Sequence, residues 1–393
     1  MGRGIAMTFA DAGIGVALVD ADADALARSR ATLEKTYATQ VERGRISADE
    51  SAARMASIAP SSEYGESVAR ADVVVEAVFE DLALKQQVFA RLGEICRADA
   101  ILATNTSTLD VDAIAAAAPH PERSLGLHFF SPAHVMRLLE VVRGEKTSPA
   151  TIAAAVELAR HLGKVPVVVG NCDGFVGNRM LLGYRREAEF LVLEGASPER
   201  VDRALEDFGF AMGPFAVADL AGIDVGWRAK QERIKRGKTP AFAVTDLSDA
   251  LVAAGRLGQK TGKGWYRYEP GERTRRNDPA TAPIVENERR RLGIAPREPK
   301  DEEIVERCVY ALVNEGARIL EEGIASSAAD IDTIWLNGYG FPKARGGPMH
   351  YADDVGLPKV LAAIEHFAQR DPEFWRAAPL LVRLTESGLC FSG

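Results

Sequence analysis

Cysteine is scarce in this chain: its 393 residues include four, Cys96, Cys172, Cys308 and Cys390, far apart in sequence. None forms a C-x-x-C pair or stands at metal-ligand spacing to a histidine, which argues against a disulfide scaffold and a zinc-type cluster, so no metal is expected. The thiols read as reduced groups of a cytoplasmic protein. Long apolar runs are lacking as well. A spanning helix needs about eighteen apolar residues, and with no such stretch no membrane span is expected. Positive charge is also short, 48 Lys and Arg against 56 Asp and Glu for a net charge of −8. Without a basic tract there is no electrostatic footprint for nucleic acid. What is present is a globular balance, 47% hydrophobic and 26% charged, on a chain long enough for two or three domains.

Apolar runs alternate with segments of helical period. Residues 3–12 predict a short helix, and Val16-Ala17-Leu18-Val19 a buried strand ending at Asp20. A long helix follows over 22–44, then a strand over 72–76, a helix over 81–95, a strand over 100–104 and an apolar segment over 124–128. Strands separated by helix-length segments predict an α/β fold with a Rossmann-type, doubly wound parallel sheet. Past Gly170-Asn171-Cys172-Asp173-Gly174 the pattern turns almost wholly helical. The expected division is an α/β domain over 1–172, a helical domain over 173–270 and a second helical repeat over 300–393. The repeat shows in ordered matches. Glu187 and Glu194-Gly195 recur as Glu315 and Glu322-Gly323, then Gly213-Pro214, Asp219 and Gly222 recur as Gly347-Pro348, Asp353 and Gly356.

Open parallel sheets bind ligands beyond the carboxyl ends of their strands. Asp20 stands at such an end, where a carboxylate can accept from both hydroxyls of an adenosine ribose and repel a 2′-phosphate, favouring NAD over NADP. Its other reading is the N-cap of the next helix. The glycine turn that should precede the first helix is represented only by Met1-Gly2-Arg3-Gly4, with no strand in front of it. A Rossmann half needs that first strand at the sheet centre and glycine where the backbone meets the pyrophosphate, here left to Gly2. The chain is therefore expected to be part of a longer protein, its first strand missing, and to bind NADH weakly or not at all by itself. Gly258-Gln259-Lys260-Thr261-Gly262-Lys263-Gly264 is one residue short of a P-loop and lacks its Ser or Thr, so it reads as a turn before Trp265-Tyr266-Arg267-Tyr268.

His128 and Glu140 lie twelve residues apart, in Leu127-His128-Phe129-Phe130-Ser131-Pro132 and Leu138-Leu139-Glu140-Val141-Val142. Two apolar stretches joined by a Pro-containing turn can set an imidazole against a carboxylate. The carboxylate would fix the tautomer through one ring nitrogen and leave the other to take a proton from a substrate hydroxyl. A histidine beside aromatics can equally be a satisfied core residue.

Asn105-Thr106-Ser107-Thr108-Leu109, Gly126-Leu127-His128-Phe129-Phe130-Ser131-Pro132, Gly174-Phe175-Val176-Gly177-Asn178-Arg179, Met212-Gly213-Pro214-Phe215 and Gly262-Lys263-Gly264-Trp265-Tyr266 stand in that order. In order and spacing the chain resembles the L-3-hydroxyacyl-CoA dehydrogenases of fatty-acid β-oxidation over essentially its whole length. The repeat after residue 300 is similar to that of the multifunctional β-oxidation enzymes. Ser131-Pro132-Ala133-His134-Val135-Met136 is similar to the peroxisomal-type bifunctional branch, and Ser131 departs from the asparagine common at this position in the monofunctional enzymes.

The resemblance implies an NAD-dependent oxidation of (S)-3-hydroxyacyl-CoA to 3-oxoacyl-CoA, with His128 as general base and Glu140 as its orienting partner. It implies that Ser107 and Asn178 contact the acyl-CoA substrate and that Glu80, Lys85 and Asn105 contact the nicotinamide end of NAD. An enoyl-CoA hydratase domain upstream, or a thiolase, is the implied partner. Lys35, Arg43 and Arg45 are candidates for CoA phosphates or a solvated helix face. Ser107 could instead cap a helix near Asp110, Asn178 could bond within its own helix, and Glu80 with Lys85 could form a surface pair. Two other readings of the whole are another β-hydroxyacid dehydrogenase and a cofactor-deficient fragment that acts only as a packing module.

Overall fold

The computed structural model describes residues 1–393 and divides into two compact units. The first comprises Met1–Phe175 with Ile324–Ser326, and the second Val176–Gly323 with Ser327–Gly393. Seven strands build the first unit: β1 Val16–Val19, β2 Ile58–Ser61, β3 Val73–Glu76, β4 Ile101–Thr104, β5 Ser124–Phe129, β6 Leu138–Arg143 and β7 Val165–Gly170. They form a two-stranded sheet, β1-β2, and a five-stranded sheet in sequential order β3-β4-β5-β6-β7. All neighbours are parallel except β5 and β6, which are antiparallel. The expected parallel sheet is thus reversed at one strand, because only eight residues connect β5 to β6, too few for a crossover.

Between β1 and β3 there is no ladder: they belong to different sheets. Packing of the first helix, Gly2–Asp11, joins the sheets instead. Its Ile5 packs with Ala103, Leu125, Leu127 and Phe129 of the larger sheet. Ala6, Met7 and Ala10 pack with Leu33, Tyr37 and Ile58 on the smaller side. Two successive faces of one amphipathic helix therefore bury apolar surface on two cores. β2 was not expected from the sequence, and its Ile-Ala-Pro-Ser composition explains why: Ala59 and Pro60 are exposed and only Ile58 is buried.

The second unit is almost wholly helical, and the repeat recurs in it bond by bond. Helix Gly177–Glu194 packs against helix Asp301–Glu321. Arg179 of the first helix pairs with Glu315 of the second and with Glu322, the residue just after it, at 2.6 Å each. Arg307 of the second pairs with Glu187 and Glu194 of the first, at 2.7 Å each. Such reciprocity is the pattern of an isologous interface, here within one chain. Asp202 accepts from the backbone N–H groups of Phe215 and Ala216, and Asp332 from those of Met349 and His350. A Cβ at Gly213 or at Gly347 would overlap the respective aspartate, so glycine is required at both for the same close approach. Burial pushes both aspartates up to about 6, against the backbone bonds they accept.

Candidate active site

Strand register places the central pair. Leu127, Phe129, Leu139 and Val141 turn to one face of the sheet and join one apolar cluster. Side chains alternate along a strand, so His128 and Glu140 share the other face. The antiparallel ladder pairs them directly across the strands. His128 Nδ1 lies 2.6 Å from Glu140 Oε2, with the histidine 5% exposed and the glutamate fully buried. A slip of one residue would put both on the apolar face, so the hydrophobic pattern that fixes the register also assembles the pair.

Aromatic rings flank the imidazole: Phe130 at 4.5 Å and Phe175 at 5.5 Å between centroids. Phe175 is fully buried with φ +50°, the one non-glycine residue of the chain in the left-handed region. A bulky side chain held there stores about 1–3 kcal/mol of strain, and such residues cluster at functional sites. The imidazole thus has an ionic partner and low-dielectric walls. With Nδ1–H donated to the carboxylate, Nε2 is the basic nitrogen, and the carboxylate stabilises the imidazolium that forms when Nε2 takes a proton.

Around the carboxyl ends of β3 and β4 the remaining residues interlock. Asn105 follows β4, and its Oδ1 accepts from the backbone N–H of Phe129 at 2.9 Å, tying that strand end to the residue beside His128. Glu80, in the loop after β3, gathers the turn 106–108: its Oε1 accepts from Thr106 Oγ1 at 2.7 Å, from Ser107 N at 2.8 Å and Oγ at 3.1 Å, and from Thr108 N at 3.1 Å. Burial raises the Glu80 carboxyl, but the Lys85 ammonium and the bonds from Ser107 and Thr106 outweigh it and hold the group below its ordinary range.

Lys85 departs from a rim role. Its side chain is 1% exposed, and its Nζ lies 2.8 and 3.1 Å from the two carboxylate oxygens of Glu76 and 3.6 Å from Glu80. The surface-pair reading is therefore excluded, and the ammonium acts on the turn through Glu76 and Glu80. Glu76 also accepts from Thr104 Oγ1 at 2.7 Å and Val78 N at 2.6 Å. Sequence reasoning passed over Glu76 and Thr104. The available signal was an acid closing the apolar run Val73-Val74-Val75-Glu76, with a lysine nine residues further on in the first turn of the next helix, Leu82–Ile95.

Two capping alternatives also fail. Asp110, not Ser107, caps the helix Val111–Ala115, accepting from Asp112 N and Ala113 N. Asp22, not Asp20, caps the helix Ala23–Glu42. Asp20 is exposed at the end of β1, and its Oδ1 accepts from Asp22 N at 3.0 Å. Gly2 opens the first helix, whose N-terminal N–H groups suit an anion. The tighter glycine is Gly4, where a Cβ would meet Ala133 at 3.2 Å. In the second unit, Asn178 Oδ1 accepts from the hydroxyl of Tyr339 at 3.0 Å. That bond joins the repeats rather than lying within one helix. Gly258–Gly264 is a turn, as expected: it contains one short helical turn, Gln259–Thr261, and leads into the short strand Tyr266–Arg267. Lys35, Arg43 and Arg45 are exposed.

Comparison with known proteins places this geometry in a family. Residues 1–172 match the 3-hydroxyacyl-CoA dehydrogenase NAD binding domain, and residues 174–268 and 304–390 match the C-terminal domain of the same family. The chain is 46% identical to the peroxisomal bifunctional enzyme of Danio rerio, over 99% of this chain and 55% of that protein. It is 39% identical to the fatty acid oxidation complex subunit alpha of Shewanella amazonensis, over 100% of this chain and 54% of that protein. It thus spans about half the length of the curated relatives it matches. The crystal structure of 3-hydroxybutyryl-CoA dehydrogenase from Escherichia coli superposes with a TM-score of 0.85 at 29% identity, covering 99% of this chain and 97% of that one. No helix of the structure is long and apolar enough to cross a membrane. A Rossmann-type sheet followed by a duplicated helical unit, matched by family over nearly every residue, makes this chain a member of the NAD-dependent 3-hydroxyacyl-CoA dehydrogenases.

Proposed function

We propose that the chain oxidises the 3-hydroxyl of an (S)-3-hydroxyacyl-CoA to the 3-oxo group in fatty-acid β-oxidation, with His128 as the general base. The observation that carries this reading is the buried His128–Glu140 pair, held at 2.6 Å by strand register. NAD, when bound, accepts the hydride that leaves carbon 3. His128 Nε2 receives the hydroxyl proton, and Glu140 holds the ring and offsets the charge it gains. A positioned histidine contributes about 10²–10⁴-fold in such a step. Asp20 is the proposed ribose contact and Gly2 the pyrophosphate contact, where the exposed carboxylate and the helix N-terminus fit those groups. Glu80 and Asn105 are the proposed nicotinamide-end residues, supported from below by Lys85.

Ser107 and Asn178 are the proposed substrate contacts, and Lys35, Arg43 and Arg45 suit the CoA phosphates. In the whole protein, an enoyl-CoA hydratase activity or a thiolase is the proposed partner, which the bifunctional relatives support. The few, widely spaced cysteines support a reducing compartment, the cytoplasm in our reading. The test is NADH oxidation with acetoacetyl-CoA, followed at 340 nm on this chain and on a version extended at its N-terminus. Turnover by either supports the reading, and none by both overturns it.

A further inference from the structure

Asn105 is the first residue past β4, and it is pinned on both sides. Its backbone N–H donates to the carbonyl of Glu76 on β3 at 2.8 Å. The backbone ladder between β4 and β5 ends at Thr104 and Gly126, and the Asn105 carboxamide carries it on, with Oδ1 accepting from Phe129 N at 2.9 Å. A backbone N–H can only donate, so the oxygen end of the amide faces Phe129 and the NH2 end faces away. The neighbouring donors are spent within the protein, Lys85 and Thr104 on Glu76 and Thr106 on Glu80. The Asn105 NH2 is not. It meets no acceptor in the protein although the residue is only 9% exposed, and it is not sealed in the core, so a ligand can reach it. A polar group so deeply placed is costly to leave unpaired, and its position calls for an acceptor.

We propose that the Asn105 NH2 donates to the carboxamide oxygen of the nicotinamide and so sets how that ring is turned toward the substrate. The proposal rests on the reading of Asn105 as a nicotinamide-end residue and names the atom it serves. Its first support is place: ligands of such sheets lie beyond the carboxyl ends of the strands, where Asn105 stands. The second is the reaction. Proton and hydride leave one H–C–O–H unit, so the ring that takes the hydride has to lie beside the base that takes the proton. Asn105 is tied to Phe129, the residue after His128. The third is chemistry. An NH2 needs an acceptor, and the carboxamide offers a neutral oxygen that ionised Glu80, itself only an acceptor, cannot serve.

Asn105→Asp keeps the acceptor that Phe129 needs and exchanges the NH2 for a second oxygen. In calorimetry at pH 8, on this chain or on the N-terminally extended version, it is expected to weaken NADH binding about tenfold, the scale of a hydrogen bond lost with its acceptor left facing another oxygen. Affinity for ADP-ribose, which lacks the nicotinamide, is expected to change less than about twofold. The reduced 3-acetylpyridine analogue keeps the carbonyl oxygen and lacks the amide nitrogen, so it is expected to lose as much as NADH. Equal losses for NADH and ADP-ribose, unchanged NADH binding, or an unaffected analogue would each overturn the assignment. If the unsubstituted protein binds neither nucleotide, the cofactor-contact reading itself has failed and the assignment falls with it. Should the variant not fold, the unsubstituted protein still decides: its Asn105 side-chain NH2 resonances are expected to shift with NADH and not with ADP-ribose. The same response to both would show that the amide does not meet the nicotinamide.

Discussion

The two ends of the first unit are built on different principles. His128 and Glu140 sit in mid-sheet, on β5, buried at every residue, and β6, buried at all but Arg143. Asp20 follows β1, no residue of which is fully buried, and its carboxylate is engaged by the chain two residues on. The His128–Glu140 pair is thus set by a ladder of backbone bonds that can exist in one register only. Local turns set the proposed cofactor rim, and there the strength comes from polar groups spent on one another, Lys85 on Glu76 and Glu80 on the turn 106–108. Chemistry placed by a ladder can change only with the fold, whereas chemistry placed by turns can be retuned residue by residue.

The sharpest way to break this contrast is Lys85→Met. It leaves the Glu76 carboxylate buried with only Thr104 and Val78 as donors, and breaking such a pair costs about 3–5 kcal/mol. Urea unfolding should show that loss, and Glu76→Gln in the same chain should recover part of it. A loss below about 1 kcal/mol would mean that the rim does not depend on the pair. His128→Gln should lower turnover at least about 10²-fold with little change in unfolding midpoint, because size is kept and the base is gone. Glu140→Gln should lose less, since an amide still orients the ring but no longer stabilises the imidazolium. Near-normal turnover in His128→Gln would return the histidine to a structural role.

Asp20 should respond more mildly. NAD is expected to be preferred over NADP, and Asp20→Asn should narrow the preference about fivefold, the size of an exposed charge contact of about 1 kcal/mol. Equal use of NADP by the unsubstituted protein would remove the ribose assignment. The smallest effect is one of shape. The native Glu80 carboxyl is held below its ordinary value of 4.5, so its contribution is full above that pH and fades as the pH falls through the lowered native value. Unfolding midpoints of Glu80→Gln should therefore lie below those of the parent at neutral pH and converge with them in acid. A gap that stays constant down to pH 3 would show that charge is not what holds the turn.

Much of the site was legible in one dimension because its signals are local. A continuous apolar run announces a buried strand, and a polar residue within one stands out, as His128 and Glu140 do. The turn residues were harder, because Ser107, Asp110, Asp20 and Asp22 are all capping types, and the sequence does not say which N–H each will meet. Glu76 and Thr104 left still weaker traces, since each closes an apolar run in the manner of an ordinary strand end.

Alternation of apolar runs with helical segments determined the α/β order of this protein, and the spaced Glu, Gly and Asp matches determined its duplication, since both depend on periodicities written along the chain. Only the tertiary structure decided that β5 and β6 run antiparallel, that Lys85 turns inward to Glu76, that Phe175 holds a left-handed backbone against the imidazole, and that Tyr339 meets Asn178 from 161 residues away. Each of these depends on which surfaces are buried together, and burial is a property of the folded chain that no single segment carries.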